Sequence, residues 1–231
     1  MTCIGLIGGM SWESSAEYYR LLNELTRERE GGLASCECIL YSVNFAEIEA
    51  MQVTGRWEDA GARLAEVAAA LEAAGADLLL LCSNTMHRVV ERIQKGTTRP
   101  VLHLGDTSAD AVRRAGLHTV GLLGTAFTME QHFYRDRLEQ HGLTVLVPDA
   151  DDRALVHRVI YDELCVGEVR AESRAAYLEV ISRLEAAGAE GVILGCTEIE
   201  LLIDPQDTHL PVFSTTRLHV EAALDAAGLP A

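Results

Sequence analysis

The chain has 231 residues, is 48% hydrophobic and only 5% aromatic, and carries a formal net charge of −16. With that charge and no basic run, its surface repels a polyanion, which argues against nucleic acid as a partner. No apolar stretch reaches the roughly 18 residues needed for a membrane span, so no membrane association is expected. The six cysteines, at 3, 36, 38, 82, 165 and 196, are too sparse for a stapled secreted scaffold and read as reduced thiols of a cytoplasmic protein.

In chain order, short apolar runs alternate with longer helical patterns, which indicates an α/β fold with mainly parallel strands flanked by helices. Thr2–Ile7 reads as a buried first strand, with none of the basic residues that open a signal peptide. A helix from about Ser14 to Arg29 stops before Gly31-Gly32. Cys36–Val43 reads as a second strand, and Asn44 with Glu47 reads as a helix N-terminus. A long helix follows over Trp57–Ala74. Asp77–Cys82 is a third strand with a helix starting near Thr85, and Val101–Leu104 a fourth.

The pattern then begins again. Val120-Gly121-Leu122-Leu123-Gly124 resembles Ile4-Gly5-Leu6-Ile7-Gly8, and Leu-Glu-Ala-Ala-Gly-Ala stands at 71–76 and again at 184–189. Each copy of the hexapeptide leads into an apolar run that ends in a cysteine and polar residues: Cys82-Ser83-Asn84-Thr85 and Cys196-Thr197-Glu198. Matched pairs in the same order at nearly the same separation imply duplication of a whole α/β half. The expected domains are pseudo-symmetric: 1–103 completed by 214–231, which includes a last helix of about Thr216–Ala227, and 104–213. Ligands of such sheets bind outside the carboxyl ends of the strands. The active site is therefore expected in the cleft between the halves, with Cys82 and Cys196 on opposite walls.

Two facing thiols can invert a carbon acid. One thiolate removes a proton, and the other thiol delivers one to the opposite face. Helix starts after both cysteines are expected to lower the thiol pKa. The candidate substrate contacts are Met10, Ser11, Asn84, Thr85, Thr125 and Thr197, although Met is ordinarily core filler. His87 is either a partner behind Cys82 or a helix-start residue facing water. Glu198 either tunes Cys196 or favours a helix N-terminus. Cys3, Cys36, Cys38 and Cys165 read as packing residues, and Cys36-Glu37-Cys38 lacks a second ligand pair, so no metal is expected. Lys95 is the chain's single lysine, in a helix end that reads as solvated. That makes a pyridoxal Schiff base an unsuitable mechanism and leaves no cofactor expected.

Ile4-Gly5-Leu6-Ile7-Gly8-Gly9-Met10-Ser11-Trp12-Glu13-Ser14, Leu81-Cys82-Ser83-Asn84-Thr85-Met86-His87, Leu123-Gly124-Thr125 and Gly195-Cys196-Thr197-Glu198-Ile199 together resemble the aspartate/glutamate racemase family, most closely its broad-specificity amino-acid racemases. The resemblance runs over essentially the whole chain. It implies pyridoxal-independent racemisation of a small-molecule amino acid, two pseudo-symmetric α/β domains and a homodimer. It matches Cys82 and Cys196 to the acid/base pair, and Ser11, Asn84, Thr85, Thr125 and Thr197 to positions near the substrate's α-carboxylate and α-amino groups. Where glutamate racemases carry an Asp before the first Ser and a His after the second Cys-Thr, this chain has Met10 and Glu198. Members selective for acidic substrates place cations where this chain has Asn44–Ile48 and Leu164-Cys165-Val166. An acidic side chain would lack its ion pair there unless a nearby residue such as Arg56 supplied it. Neutral or mixed amino acids are therefore expected. The competing readings are an aspartate/glutamate-specific racemase, an isomerase or decarboxylase of the same superfamily, and a non-catalytic amino-acid sensor.

Overall fold

The fold was taken from a computed structural model of the chain, which describes residues 2–229. Among these residues are two sheets of four strands each, with every pairing parallel. The strands are β1 (Ile4–Gly8), β2 (Cys38–Ser42), β3 (Leu78–Leu81), β4 (Val101–Leu102), β5 (Thr119–Gly124), β6 (Thr144–Leu146), β7 (Gly191–Gly195) and β8 (Val212–Ser214). The α-helices are α1 (Trp12–Glu30), α2 (Phe45–Val53), α3 (Trp57–Ala73), α4 (Val90–Gln94), α5 (Leu104–Arg114), α6 (Ala126–Glu130), α7 (His132–Gln140), α8 (Ala150–Asp162), α9 (Ala171–Ala186) and α10 (Thr215–Ala226).

The sheet orders are β2-β1-β3-β4 and β6-β5-β7-β8, the same topology written twice. The chain divides into two compact units, Met1–Leu104 with His219–Ala231, and Gly105–Leu218. Among the described residues no helix is long and apolar enough to cross a membrane.

The repeated hexapeptide has one structural meaning in both copies. It ends a helix and releases the chain into the strand that carries a cysteine. Gly75 and Gly188 both adopt φ of +103°. Ala76 N–H donates to Leu71 O and Gly75 N–H to Glu72 O; Ala189 N–H donates to Leu184 O and Gly188 N–H to Glu185 O. This left-handed cap satisfies the last helix carbonyls, and glycine adopts it without a Cβ penalty.

Central strands β1, β3, β5 and β7 are almost wholly buried, as strands covered on both faces must be. In the first unit Tyr18, Leu21, Leu22 and Leu25 of α1 form a helical stripe over Ile4, Leu6, Leu78 and Leu80, together with Val220, Ala223 and Leu224 of α10. Opposite β1 and β3, Leu64, Val67, Ala68 and Leu71 of α3 pack on Ile7, Leu79 and Leu81. In the second unit Val156, Val159 and Ile160 of α8 and Tyr177, Val180, Ile181 and Leu184 of α9 cover Val192 and Leu194.

Several segments are shorter than the sequence pattern suggests. The second strand begins at Cys38 rather than Cys36, and the fourth has only two residues. The segment after Cys82 opens as a 3-10 turn, Thr85–Val89, before α4. Asn44 caps α2 as expected, its side chain accepting from Ala46 N–H at 3.2 Å.

Candidate active site

In the first unit the chemistry collects where β1 and β3 end. Beyond β1 the chain turns at Gly9, whose φ is +89°. A Cβ there would lie 2.3 Å from both Val43 N and Val43 O, so the turn admits only glycine. Ser11 caps α1, accepting from Ser14 N–H at 3.2 Å. Ser15 Oγ accepts from Gly9 N–H at 2.7 Å and donates to Ser11 O at 3.0 Å. Ser14 Oγ donates to Cys82 O at 3.3 Å, and Cys82 N–H donates to Ile7 O at 3.0 Å. The cap of α1 and the cysteine after β3 are thus one hydrogen-bonded unit. Met10 is buried among Ile7, Ile48 and Met86.

Asn84 and Thr85 are buried at the start of the 3-10 turn. His87 does not face water: it is 2% exposed. Its Nδ1 lies 2.7 Å from Ser83 O, and its Nε2 accepts from Leu104 N–H at 3.1 Å. A carbonyl only accepts, so Nδ1 carries the proton and the neutral tautomer is set. Burial, and next the nearby His103 and His219, hold its pKa well below the ordinary value. His87 therefore braces the turn after Cys82 as a neutral ring.

In the second unit the equivalent strand ends are β5 and β7, with Gly124 paired to Gly195. Thr125 caps α6, its Oγ1 accepting from Thr128 N–H at 3.3 Å. His157 Nδ1 accepts from Ala126 N–H at 3.2 Å and secures the same turn. Cys196 follows Gly195 directly and opens a 3-10 turn, Thr197–Leu201. Thr197 and Glu198 are buried there. The Cys196 thiol donates to Glu198 Oε2 at 2.9 Å.

The expectation that helix starts lower both thiol pKa values is not met. Five-residue 3-10 turns, not α-helix N-termini, come first after the cysteines. Burial raises both thiols well above their ordinary value, and at Cys196 the negative charge of Glu198 is the next largest cause. A buried thiolate lacks solvation, and a carboxylate beside it adds like-charge repulsion.

Asn44–Ile48 and Leu164–Val166 contain no cation. Ile48 is buried with Met10 and Met86, and Leu164 is buried in the cluster that holds Cys196. Arg56 lies at the N-cap of α3, half-exposed, 3.7 Å from Asp59. Lys95 is the exposed C-cap of α4.

The model of the Asp/Glu/hydantoin racemase family matches residues 7–223. The chain belongs to that family. A Yersinia pestis protein assigned as an Asp/Glu racemase is 49% identical, with 98% of this chain and 99% of that one aligned and a TM-score of 0.91. An aspartate racemase homologue from Pyrococcus horikoshii OT3 is 35% identical over 99% of this chain and 100% of its own, with a TM-score of 0.87. Among curated proteins, the broad specificity amino-acid racemase RacX of Bacillus subtilis is 24% identical over 148 residues, 63% of each chain. The chain spans about two thirds of the length of the curated relatives it matches.

Ser14, Ser15 and His157 were not singled out from sequence. The two serines had a legible signal, a run of hydroxyls in the first turn of a helix. His157 had none, because it reaches Ala126 from 31 residues away.

Proposed function

We propose that this racemase-family protein is a pyridoxal-independent amino-acid racemase in which Cys82 and Cys196 are the two acid/base groups at Cα. The observation that carries the reading is their equivalence. Each cysteine follows the last residue of the strand next to its sheet's first strand; Cys196 caps the 3-10 turn that follows, Cys82 stands two residues before the Asn84 cap of its own, and Asn84, Thr85, Thr197 and Glu198 are buried there. In one direction a thiolate removes the α-proton and the other thiol protonates the opposite face; in reverse the roles exchange. Both thiols are raised by burial, so the charged form needs a partner, and the substrate's ammonium group supplies the opposite charge. Ser11, Asn84, Thr85, Thr125 and Thr197 supply hydroxyl, amide and turn N–H donors for the α-carboxylate.

The substrate class is neutral or mixed amino acids. Apolar Ile48 and Leu164 stand where acid-selective relatives would offer cations, and a buried unpaired carboxylate costs several kcal/mol, roughly 3–5. The protein works as a homodimer on a free amino acid.

A panel of single-enantiomer amino acids, assayed by chiral chromatography without pyridoxal phosphate, tests this. Racemisation of neutral substrates with incorporation of solvent deuterium at Cα is expected. Carbon dioxide release would instead identify a decarboxylase, binding without exchange a sensor, and turnover of aspartate or glutamate alone an acid-specific racemase.

A further inference from the structure

Four of the six cysteines lie outside the chemistry above, and two of them form a pair. Cys38 opens β2, an edge strand of the first sheet, and Cys36 stands two residues before it. The parallel ladder already includes this segment: Ile4 N–H donates to Glu37 O at 3.0 Å, and Ile4 is in register with Cys38. Residues i and i+2 of an extended chain share one face. Both side chains accordingly pack against the cluster containing Ile4, Leu6, Tyr18 and Leu22. There the two thiols interact with one another. Asn23 Oδ1 holds the Cys36 N–H at 3.2 Å. Unlike Cys82 and Cys196, both sulfurs belong to half-buried residues. The loop from Gly32 to Ser35, which leads into Cys36, lines a cavity of about 440 Å³ together with Tyr19, Asn23 and Arg27.

The two sulfurs are not equivalent. The hydrogen bond from Cys36 holds the Cys38 thiol below its ordinary pKa, against the effect of burial. The same partnership, then burial, pushes Cys36 up. A half-buried thiol held down in pKa beside one pushed up is the arrangement of a redox-responsive cysteine and its resolving partner.

We propose that Cys36 and Cys38 are a redox modification site that closes to a disulfide on reaction with a hydroperoxide. The Cys38 thiolate attacks a peroxide oxygen, the O–O bond breaks, and the departing hydroxide takes a proton to leave as water. Cys38 is then a sulfenic acid. The Cys36 sulfur attacks the Cys38 sulfur, the S–O bond breaks, and the hydroxyl leaves as water with the Cys36 proton. Two thiols lose two electrons and hydrogen peroxide becomes two waters. Two residues of fully extended chain separate the Cα atoms by roughly 7 Å, slightly beyond the usual disulfide reach of about 6.8 Å. Closure therefore draws the chain in at exposed Glu37, just before the strand begins, against the bond its carbonyl accepts from Ile4 N–H. A bridge so constrained is easily reduced again.

The test uses the intact protein, treated with hydrogen peroxide, alkylated and digested with trypsin. Peptide Glu30–Arg56 contains Cys36 and Cys38 and no other cysteine. Expected is that peptide, unalkylated and lighter by two hydrogen atoms, reverting on reduction. In Cys36→Ser, Cys38 should accumulate as a sulfenic acid that dimedone traps; in Cys38→Ser, Cys36 should remain alkylatable. Full alkylation of both residues after peroxide, or a cross-link to the Cys3 peptide Met1–Arg20, overturns the proposal.

Discussion

The Cys196 thiol donates a hydrogen bond to Glu198 Oε2 across 2.9 Å, with both residues buried. Cys82, at the equivalent strand end, has its pKa raised by burial alone. The two thiols are topologically alike and electrostatically different. Replacing Glu198 by Gln removes a negative charge beside Cys196, so its thiolate should form at lower pH. The acidic limb of kcat/KM should move to lower pH in the reaction direction that uses Cys196 as base, and the basic limb should move to lower pH in the reverse direction, where Cys196 is the acid. pH–rate profiles measured from each enantiomer would show this; movement of both limbs in each direction would mean that Glu198 does not act on one thiol selectively.

Removal of either thiol should stop inversion. Cys82→Ala and Cys196→Ala are each expected to lower racemisation by roughly 10²–10⁴-fold, the span of a positioned acid or base. Each variant should keep α-deuterium exchange on one enantiomer only, because the surviving thiol reaches one face. Mass and chiral analysis of the recovered substrate would distinguish this from general loss of the site. Retained racemisation in both variants would end the two-thiol reading.

Gly9 fixes the turn that delivers Ser11. Gly9→Ala sets a Cβ 2.3 Å from the Val43 backbone at a φ of +89°. Backbone atoms cannot yield as a side-chain tip can, so a loss of roughly 2–4 kcal/mol is expected. Urea unfolding at neutral pH measures it. A change under about 0.5 kcal/mol, the range of ordinary surface substitutions, would mean that this turn is not constrained as described.

His219 couples stability to pH. Its Nδ1 meets Tyr18 OH at 2.9 Å and its Nε2 meets Leu102 O at 3.0 Å. Burial lowers its pKa to about 4. The unfolded chain, with histidine near 6.5, therefore binds more protons between those values. Stability is full above pH about 6.5 and is lost as pH falls toward 4, on the order of 3 kcal/mol for this one ring. His87, depressed in the same direction, adds to the slope. Denaturation midpoints across that window should fall with acidity, and His219→Gln should flatten the curve.

The duplicated topology was legible because its signals are local. The Leu-Glu-Ala-Ala-Gly-Ala hexapeptide ends a helix wherever it stands, and the apolar runs after it, at Leu78–Leu81 and Gly191–Gly195, can only be buried strands. Those two facts place Cys82 and Cys196 at strand ends. The Asn44 cap was legible for the same reason: a cap is satisfied by a residue two or three positions on.

By itself, then, the sequence determined the alternation of strands and helices in the first half, the repeat, and the placing of Cys82 and Cys196 after equivalent apolar runs. Only the tertiary structure decided their ionisation. Short 3-10 turns replaced the expected helix starts, and burial by distant segments raised both thiols. It also decided the tautomer of His87, through Leu104, and the reach of His157 to Ala126. These properties depend on which atoms exclude water and which partner arrives from far along the chain. Local pattern encodes neither, because desolvation and long-range hydrogen bonds exist only once the layers have packed.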